Sequence, residues 1–263
     1  MFKVVALQLE INDRQSKKDR IQFALAQMEQ SREADLILFP ELWNIGYFSF
    51  DLYEEECETI DGVTVSTIAE KAREINSFVF AGSFVEQVGK KLYNTSVMLD
   101  NRGKIIAVYR KIHLFSYGSR EKELLTPGCE AIVVETEIGV LGLSTCYDLR
   151  FPELYRFMLD QGAEIFLVTS AWPFPRWSNW LVLNQARALE NSCYLISCNC
   201  AGINRGIRFL GHSTVVDPRG IIRASSSEEP CTVSFTVDRE QVHQVRSDFS
   251  QLNDRTLDFK GLD

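Results

Sequence analysis

Short apolar runs alternate with segments of helical periodicity between residues 2 and 84. Residues 2–9 are rich in strand-forming side chains, and apolar residues then recur at helical spacing through residues 21–28. A second apolar run at residues 35–39 is followed by another helical pattern at residues 65–76 and a further run at residues 78–84. Runs of this length are typical of buried strands. The repeated strand–helix–strand order predicts an α/β fold.

Two segments with turn residues at their centres predict β-hairpins. One pairs residues 93–99 with 104–109 across Asp-Asn-Arg-Gly, whose Asn and Gly tolerate left-handed conformations, and the other pairs 210–216 with 221–223 across Asp-Pro-Arg-Gly. Further strands are predicted at 140–145, 165–168 and 193–198, and further helices at 152–161 and 178–190. No linker, repeat or low-complexity tract divides the chain, so we expect one domain over residues 1–263, with antiparallel pairs mixed into the sheet.

Charge and hydropathy argue against two classes of partner. The net charge is −8 and no block of Lys or Arg occurs, so nucleic acid is not expected as a partner. No stretch approaches the roughly 18 consecutive apolar residues that span a bilayer, so no membrane association is expected. The apolar run at residues 2–9 is too short for a signal peptide, and no small-residue cleavage site follows it. We therefore expect a cytoplasmic protein.

The cysteines and histidines show no pattern of a metal site. The seven cysteines are an odd number without regular spacing, so at least one thiol is unpaired within the chain. No C-x-x-C occurs, and His113, His212 and His243 lie far apart in the sequence. Since zinc sites usually show close ligand spacing, no metal is expected.

One cysteine lies where a strand is expected to turn into a helix. Cys146 follows the run at residues 140–145 and precedes a helix that begins near Pro152. A thiol at such a point lies near a helix N-terminus, whose free N–H groups and positive dipole end favour a thiolate and any oxyanion beside it. An ordinary buried cysteine is the alternative interpretation, so a nucleophile needs supporting partners.

A carboxylate and an ammonium group also stand where strands end. Glu41 comes after residues 35–39 and Pro40, which cannot donate to a continuing central strand. Lys111 ends the second strand of the first hairpin and opens residues 111–130, a long loop of the kind that is usually functional in a compact domain. Active sites of open α/β sheets lie at such strand ends. These positions predict that a base, a cation and a nucleophile meet at one site.

Separate segments of the chain resemble the nitrilase superfamily of carbon–nitrogen hydrolases. The three motifs that match are residues 39–47 (FPELWNIGY), 109–114 (YRKIHL) and 142–153 (GLSTCYDLRFPE). They occur in the family's order and with approximately its spacing. The likeness continues through residues 185–191 and 211–220, so it covers nearly the whole chain.

The resemblance implies a set of catalytic residues and a fold. Glu41, Lys111 and Cys146 match the family's catalytic positions, and its second glutamate maps onto Glu121, with Glu123 as a close alternative. The implied fold is α/β, a four-layer α-β-β-α sandwich of the nitrilase type. Members of the family commonly form dimers whose sheets extend across the subunits, so a homodimer or higher homo-oligomer is expected.

The resemblance also implies how these residues divide the hydrolysis of an amide. Cys146 would attack the substrate carbonyl, while Glu41 would act as general base, then as general acid, then again as base. Lys111 and the backbone N–H of Tyr147 would stabilise the oxyanion, and Glu121 would position Lys111 or the substrate. The products would be a carboxylate and ammonia, formed through a thioester. These steps require no metal and no cofactor.

Within the superfamily, the chain resembles the branch of small amidases that contains omega-amidase, which acts on 2-oxoglutaramate or 2-oxosuccinamate. The segment 170–176 (SAWPFPR) is similar to that branch's loop beyond the nucleophile. Trp172 would form a wall of the pocket, and Arg176 would pair with a substrate carboxylate, which suits the arginine fork. Tyr47 and Phe115 are further candidates for aromatic residues that line the pocket.

The sequence leaves other functions open. An N-carbamoyl-amine amidohydrolase or another small aliphatic amidase of the same family would use the same residues. A Cys-His hydrolase would instead pair Cys146 with His113 or His212. A phosphatase of the C-x5-R type is excluded, because Pro152 stands where its arginine is required. A catalytically silent homologue that acts as a binding module is disfavoured, because every catalytic position is filled.

Overall fold

The structure of the protein, a computed structural model, describes residues 1–256. Its strands are Phe2–Gln8 (β1), Glu10–Asn12 (β2), Leu36–Leu38 (β3), Phe78–Val88 (β4), Lys91–Leu99 (β5), Ile105–Arg110 (β6), Ile132–Thr136 (β7), Gly139–Thr145 (β8), Ile165–Ser170 (β9), Tyr194–Asn199 (β10), Ala201–Asn204 (β11), Ile207–Arg208 (β12), Thr214–Val216 (β13), Ile222–Ser225 (β14) and Cys231–Val237 (β15). Its α-helices are Lys17–Gln30 (α1), Val63–Ile75 (α2), Glu121–Leu124 (α3), Pro152–Asp160 (α4), Trp177–Asn191 (α5) and Glu240–Asp248 (α6). Short 3₁₀ helices lie at Phe50–Leu52, Cys146–Arg150 and Phe174–Arg176.

The strands form two six-stranded sheets of similar design and one small three-stranded sheet. The first sheet has the order β15-β1-β3-β4-β5-β6, and the second has the order β14-β13-β10-β9-β8-β7. In each large sheet, parallel strands occupy the centre and antiparallel strands flank them. Parallel neighbours need a crossover connection, whereas antiparallel neighbours can be joined by a hairpin. The predicted mixture of crossover units and hairpins is confirmed.

The two large sheets pack face to face. Leu38 and Met98 of the first sheet share one buried apolar cluster with Leu143, Leu167 and Ile196 of the second. Since side chains alternate along a strand, the neighbouring residues of the same strands point away from this shared core. Each sheet therefore needs a second apolar layer on its outer face.

Helices supply these outer layers. Helices α1 and α2 bury Ile21 and Ile68 in a cluster with Ile37 of the first sheet. On the other side, Trp180 of α5 lies in a cluster with Phe166 of the second sheet, to which α4 also contributes. The layers follow the order α-β-β-α, so the predicted four-layer sandwich is confirmed.

Some elements differ from the sequence-based expectation. The segment 111–130 contains the single turn of α3, although only a loop was expected there, because one turn is too short to show helical periodicity. Strand β15 and helix α6 were not predicted. The strand carries an alternating apolar signal at Val233, Phe235 and Val237 that the prediction overlooked, whereas the helix buries only Val242 and Val245 and shows no clear apolar pattern.

Residues 1–256 include no helix that combines the length and the apolar character needed to cross a membrane. Within the same range, no group of three or more His, Cys, Asp or Glu side chains is placed to hold a metal ion. All seven cysteines are free thiols, and Cys146, Cys193, Cys198 and Cys200 are the buried ones.

Strand β4 contains a bulge that touches the loop after β3. Its pairing with β5 shifts register between Phe80 and Ser83, and Gly82 lies at this point with φ of +66°. A Cβ atom at Gly82 would lie 2.2 Å from the carbonyl oxygen of Pro40. Ser83 donates its N–H to the same oxygen at 3.2 Å. The bulge therefore holds the chain immediately before Glu41.

We expect Gly82→Ala to lower the free energy of unfolding by at least about 3 kcal/mol, because left-handed strain adds to a clash with the backbone. Gly89→Ala is a matched control, since Gly89 has φ of +60° and a Cβ atom there would meet nothing within 4 Å. The control should cost about 1 kcal/mol, from strain alone. Urea unfolding followed by circular dichroism measures both values, and equal losses would contradict the proposed role of the close approach.

Candidate active site

Cys146 lies in a tight turn at the end of β8. Its φ is +48°, a conformation that costs a non-glycine residue about 1–3 kcal/mol and persists only where the surroundings hold it. Asp148 provides this support, because its Oδ2 accepts the Thr145 N–H at 2.8 Å and the Tyr109 hydroxyl at 2.6 Å. The 3₁₀ helix Cys146–Arg150 then leads to α4. The predicted strand-to-helix turn is therefore confirmed.

Glu41 lies beyond β3 and is fully buried. Its N–H donates to the Ser170 carbonyl at 3.2 Å, which ties this loop to the end of β9. Its Oε2 accepts the Ala171 N–H at 2.9 Å, and its Oε1 accepts the Asn94 side-chain N–H at 2.9 Å. Because both carboxylate oxygens are held, the side chain has a fixed orientation.

Lys111 comes directly after β6 and is fully buried between two carboxylates. Its Nζ donates to Glu41 Oε1 at 2.7 Å and to both carboxylate oxygens of Glu121 at 3.0 Å. The ring centroid of Tyr47 lies 5.5 Å from the same nitrogen, a cation–π contact. The ammonium group is therefore held in place from several sides.

Glu121 and Glu123 occupy different environments, although both belong to α3. Glu121 is fully buried, and in addition to Lys111 its carboxylate accepts the Phe115 N–H at 2.7 Å and the Asn94 side-chain N–H at 2.8 Å. Glu123 is exposed and pairs with Arg120 at 3.2 Å. The structure thus places Glu121, and not Glu123, beside Lys111.

The buried charges shift one another's proton affinity. Burial raises the pKa of Glu41 above its ordinary value, Lys111 opposes this shift, and Glu121 adds to it. Burial lowers the pKa of Lys111, but the charges of Glu121 and Glu41 outweigh this effect and hold the pKa above its ordinary value. Lys111 is therefore charged at neutral pH, and Glu41 is a stronger base than an exposed glutamate.

The Cys146 thiol carries its proton at neutral pH. Burial raises the pKa of this thiol well above the ordinary value, the charge of Glu41 adds to the shift, and Lys111 opposes it. Desolvation therefore outweighs the stabilisation of a thiolate that the nearby helix start suggested. Cys146 interacts with Glu41 closely enough to lower the pKa of that carboxyl group slightly against the larger upward shift. Glu41 is thus a base that interacts directly with the thiol.

Cys146 also lines a cleft with an empty volume of about 340 Å³. The residues around it are Tyr47, Phe48, Phe115, Cys146, Tyr147, Arg150, Ala171, Trp172, Pro173 and Arg176. The four predicted substrate-binding residues, Tyr47, Phe115, Trp172 and Arg176, are all among them. Half of these ten residues are aromatic, which suits a small organic molecule with a few fixed polar contacts.

Two arginines border the cleft. The guanidinium carbon of Arg176 lies 5.1 Å from the ring centroid of Phe115, and that of Arg150 lies 5.1 Å from the ring centroid of Trp172. Among residues 1–256, no carboxylate forms a salt bridge with either guanidinium. Both cations can therefore receive an anionic group of a ligand in the cleft.

The histidines do not form a Cys-His pair in the described part of the chain. The His113 Nδ1 lies 2.7 Å from Asp148 Oδ1, and its ring stacks on Phe151 with centroids 3.6 Å apart. The His212 ring packs edge to face against Trp177. Within residues 1–256, neither ring makes a hydrogen bond to Cys146. His113 instead supports the turn through Asp148.

Three residues of the site were not predicted from the sequence. Asn94 lies within β5 and bonds to both Glu41 and Glu121, but a lone asparagine inside a hairpin strand gives no signal of this role. Asp148 and Arg150 belong to the segment that follows the cysteine, which identifies their neighbourhood but not their contacts. Their partners depend on tertiary structure.

Known proteins resemble this chain over most of its length. The family model for carbon–nitrogen hydrolases matches residues 3–247. The chain is 35% identical to a 2-oxoglutaramate amidase of Paenarthrobacter nicotinovorans, in an alignment that covers 97% of this chain and 90% of that protein. The chain belongs to the carbon–nitrogen hydrolase family.

Other members of the family support the same assignment. The chloroplastic omega-amidase of Arabidopsis thaliana is 32% identical, over 94% of this chain and 70% of that protein. The crystal structure of Saccharomyces cerevisiae Nit3, a member of branch 10 of the nitrilase superfamily, superposes with a TM-score of 0.85 at 28% identity, covering 99% of this chain and 97% of that one. The predicted membership of the superfamily is confirmed, and the protein is a carbon–nitrogen hydrolase.

We expect Glu41→Gln to lower the pKa of the Cys146 thiol in this hydrolase. The substitution removes the negative charge that raises this pKa, so the thiolate should form at lower pH than in the wild type, even though turnover is lost. The ultraviolet absorbance of the thiolate, followed against pH after subtraction of the same variant with Cys146→Ala, measures the change. Glu123→Gln, on the surface, should leave the titration unchanged. An upward shift in Glu41→Gln would show that the charge of Glu41 does not act on the thiol.

Proposed function

We propose that this carbon–nitrogen hydrolase cleaves the amide bond of a small linear amide that carries a carboxylate, and releases ammonia. The observation that supports this proposal most directly is the position of Cys146. Cys146 lines the aromatic cleft. The fully buried side chains of Glu41 and Lys111 shift the pKa of its thiol. We further propose that residues 1–263 act as one hydrolase domain; residues 257–263 lie outside the described part.

The first step is attack on the amide carbonyl. Glu41 takes the thiol proton, and the sulfur of Cys146 forms a bond to the carbonyl carbon. The raised pKa of Glu41 suits this transfer, because a stronger base narrows the difference in proton affinity between the two groups. Lys111 and the backbone N–H of Tyr147 stabilise the oxyanion, and loss of one such donor typically costs about 3 kcal/mol in the barrier.

The second step expels ammonia and then restores the enzyme. Glu41 returns its proton to the amide nitrogen as the carbon–nitrogen bond breaks, which leaves a thioester on Cys146. A water molecule then gives a proton to Glu41 and attacks the thioester carbon. The carbon–sulfur bond breaks, the carboxylic acid leaves, and the sulfur recovers a proton. Protein groups and water account for every proton in this sequence.

Glu121 acts on the reaction through Lys111. It binds both the ammonium group and the Phe115 N–H, so it links the buried charges to the wall of the cleft. A lysine between two carboxylates stays charged and has a fixed orientation. We propose that Glu121 keeps Lys111 aimed at the position where the oxyanion forms.

The substrate class follows from the cleft and from the relatives. Arg176 has no carboxylate partner among residues 1–256 and stands on the aromatic wall, where its planar fork can pair with an anionic end of a substrate. Two similar proteins bear the names 2-oxoglutaramate amidase and omega-amidase. We therefore propose 2-oxoglutaramate or 2-oxosuccinamate as substrate, with the amide at Cys146 and the carboxylate at Arg176. Tyr47, Phe115 and Trp172 would contact the carbon chain between them.

Other members of the reaction class would use the same groups. An N-carbamoyl amine or a simple aliphatic amide also presents a carbonyl carbon to a thiolate, so these are the alternative substrates. Neither of these substrate classes requires an anionic group, so neither would account for an arginine in the cleft. A silent binding module is disfavoured, because Glu41, Lys111 and Cys146 meet in a geometry that serves the reaction.

We also propose that the enzyme works as a homodimer or higher homo-oligomer in the cytoplasm. Val182 and Leu189 lie on one face of α5, with 64% and 51% of their surfaces exposed, and a second copy of the chain would cover them. The free state of all seven cysteines suits a reducing compartment. The net charge of −8 disfavours nucleic acid as a partner, and we propose none; we also propose no membrane partner.

The direct test is to trap the thioester. We expect a short incubation with 2-oxoglutaramate, followed by acid quenching and peptide mass spectrometry, to show an acyl group on Cys146 and ammonia in solution. Cys146→Ala should give neither, while Cys129→Ala, at an exposed thiol, should behave as the wild type. An adduct on another residue would contradict the mechanism. Silence toward 2-oxo acid amides, carbamoyl amines and aliphatic amides would favour a binding module.

We expect Arg176→Gln to raise KM for 2-oxoglutaramate by roughly 10- to 100-fold, since a charge-assisted hydrogen bond is lost. With a neutral amide such as butyramide, which has no carboxylate, KM should hardly change. Steady-state ammonia release on both substrates measures the contrast. Arg32→Gln, at a surface arginine paired with Glu29, is the matched control. Equal effects of Arg176→Gln on both amides would mean that Arg176 does not bind the carboxylate.

A further inference from the structure

Ser170 lies beside Cys146 at the ends of two neighbouring strands. Strands β8 and β9 run parallel, and Thr145 pairs with Thr169, so the next residues, Cys146 and Ser170, are neighbours at this edge of the sheet. Val168 belongs to the same buried cluster as Cys146. Because side chains alternate along β9, Ser170 points to the face on which Val168 and Cys146 lie.

The Ser170 hydroxyl is buried without a hydrogen-bond partner among residues 1–256. A buried polar group without a hydrogen-bond partner lowers the stability of the fold, so its presence needs a physical explanation. The Ser170 side chain lies close enough to lower the pKa of the Cys146 thiol. A neutral S–H is a weak hydrogen-bond partner, whereas a thiolate is a charged and much stronger acceptor. The hydroxyl therefore suits a state in which Cys146 has lost its proton.

We propose that the hydroxyl of Ser170 donates a hydrogen bond to the sulfur of Cys146 whenever that sulfur is negatively charged. The inference rests on the proposed function, in which Cys146 is the nucleophile. The thiol proton goes to Glu41, and Ser170 keeps its own proton throughout. The sulfur is a thiolate before attack on the amide and again when the thioester breaks. One hydroxyl can therefore assist both halves of the reaction.

A neutral group can donate this hydrogen bond to the sulfur, because the charged groups near the thiol have other roles. Glu41 raises the pKa of Cys146 and Lys111 lowers it, so the two nearest charges oppose each other. Arg150 and Arg176 border the cleft, where they remain available to a ligand. The hydroxyl of Tyr155, from α4, shares a hydrogen bond with the Ser144 hydroxyl at 2.8 Å. Ser170 thus supplies the buried hydroxyl beside the sulfur that has no hydrogen-bond partner among residues 1–256.

The test compares variants of Ser170 in the full-length enzyme. Ser170→Ala removes the hydroxyl without adding bulk, and we expect the Cys146 thiolate to form at higher pH. We expect kcat/KM for 2-oxoglutaramate to fall roughly 10- to 100-fold, because a hydrogen bond to a charged group is lost. The fall should lie in kcat, with little change in KM. Ser170→Thr keeps a hydroxyl and should restore both the titration and the rate to within a few-fold of the wild type.

Thr169→Val is the matched control. Thr169 also has a buried hydroxyl without a partner among residues 1–256, but it points to the opposite face of β9. This variant should leave the thiolate titration and kcat unchanged. If Thr169→Val changes the thiolate titration and kcat as much as Ser170→Ala does, the effect comes from altered packing and our inference is wrong.

The remaining outcomes separate this inference from the proposed function. An unchanged thiolate titration in Ser170→Ala, in an enzyme that still hydrolyses the amide, overturns the role of Ser170. The titration needs no substrate, so a shifted titration in a protein without amide turnover refutes the proposed function and leaves the hydrogen bond in place. If Ser170→Ala does not fold, Ser170→Gly removes the same hydroxyl and is compared with Ser170→Thr in the same way.

Discussion

Two buried carboxylates share one buried lysine, and the rest of the site depends on this contact. A single unpaired charge in a protein interior would be strongly destabilising, whereas Glu41, Lys111 and Glu121 satisfy one another at 2.7–3.0 Å. The Asn94 side-chain amide donates a hydrogen bond to each of the two carboxylates and so bridges them. Because burial penalises the charged carboxylate by more than Lys111 stabilises it, Glu41 has a raised pKa and can accept a proton from the equally buried thiol of Cys146.

The two sheets bring this cluster together from distant parts of the chain. Glu41 follows β3 and Lys111 follows β6 in the first sheet, while Cys146 follows β8 in the second. The shared core fixes the sheets against each other, since packed interiors tolerate little displacement. The bond from the Glu41 N–H to the Ser170 carbonyl joins the two sheets at the site itself. The four-layer architecture thus acts as the frame that sets the distances between the reacting groups.

The buried charged residues and the cleft that would bind a substrate form two separate regions of the site. The charged cluster is fully buried, which strengthens its electrostatic effects, whereas the cleft lined by Cys146 has aromatic walls and arginines at its border. In the proposed reaction, the substrate would contact apolar walls and a cation in the cleft, and its carbonyl group would meet the proton-transfer groups at the thiol. The strained turn at Cys146 connects the two regions, and Asp148 stabilises this turn by accepting the Thr145 N–H.

The sequence by itself determined the α/β alternation, the strand ends that carry Glu41, Lys111 and Cys146, and, through its motifs, membership of the carbon–nitrogen hydrolase family. These features are local, because periodicity and motif order are written along the chain. Only the tertiary structure decided that Glu121 and not Glu123 meets Lys111, that Asn94 bridges the carboxylates, and that His113 supports a turn instead of a nucleophile. It also decided that the thiol is protonated, although its helix-start position suggested a thiolate. Burial and the distances between strands remote in sequence set these properties, and no local pattern encodes either of them.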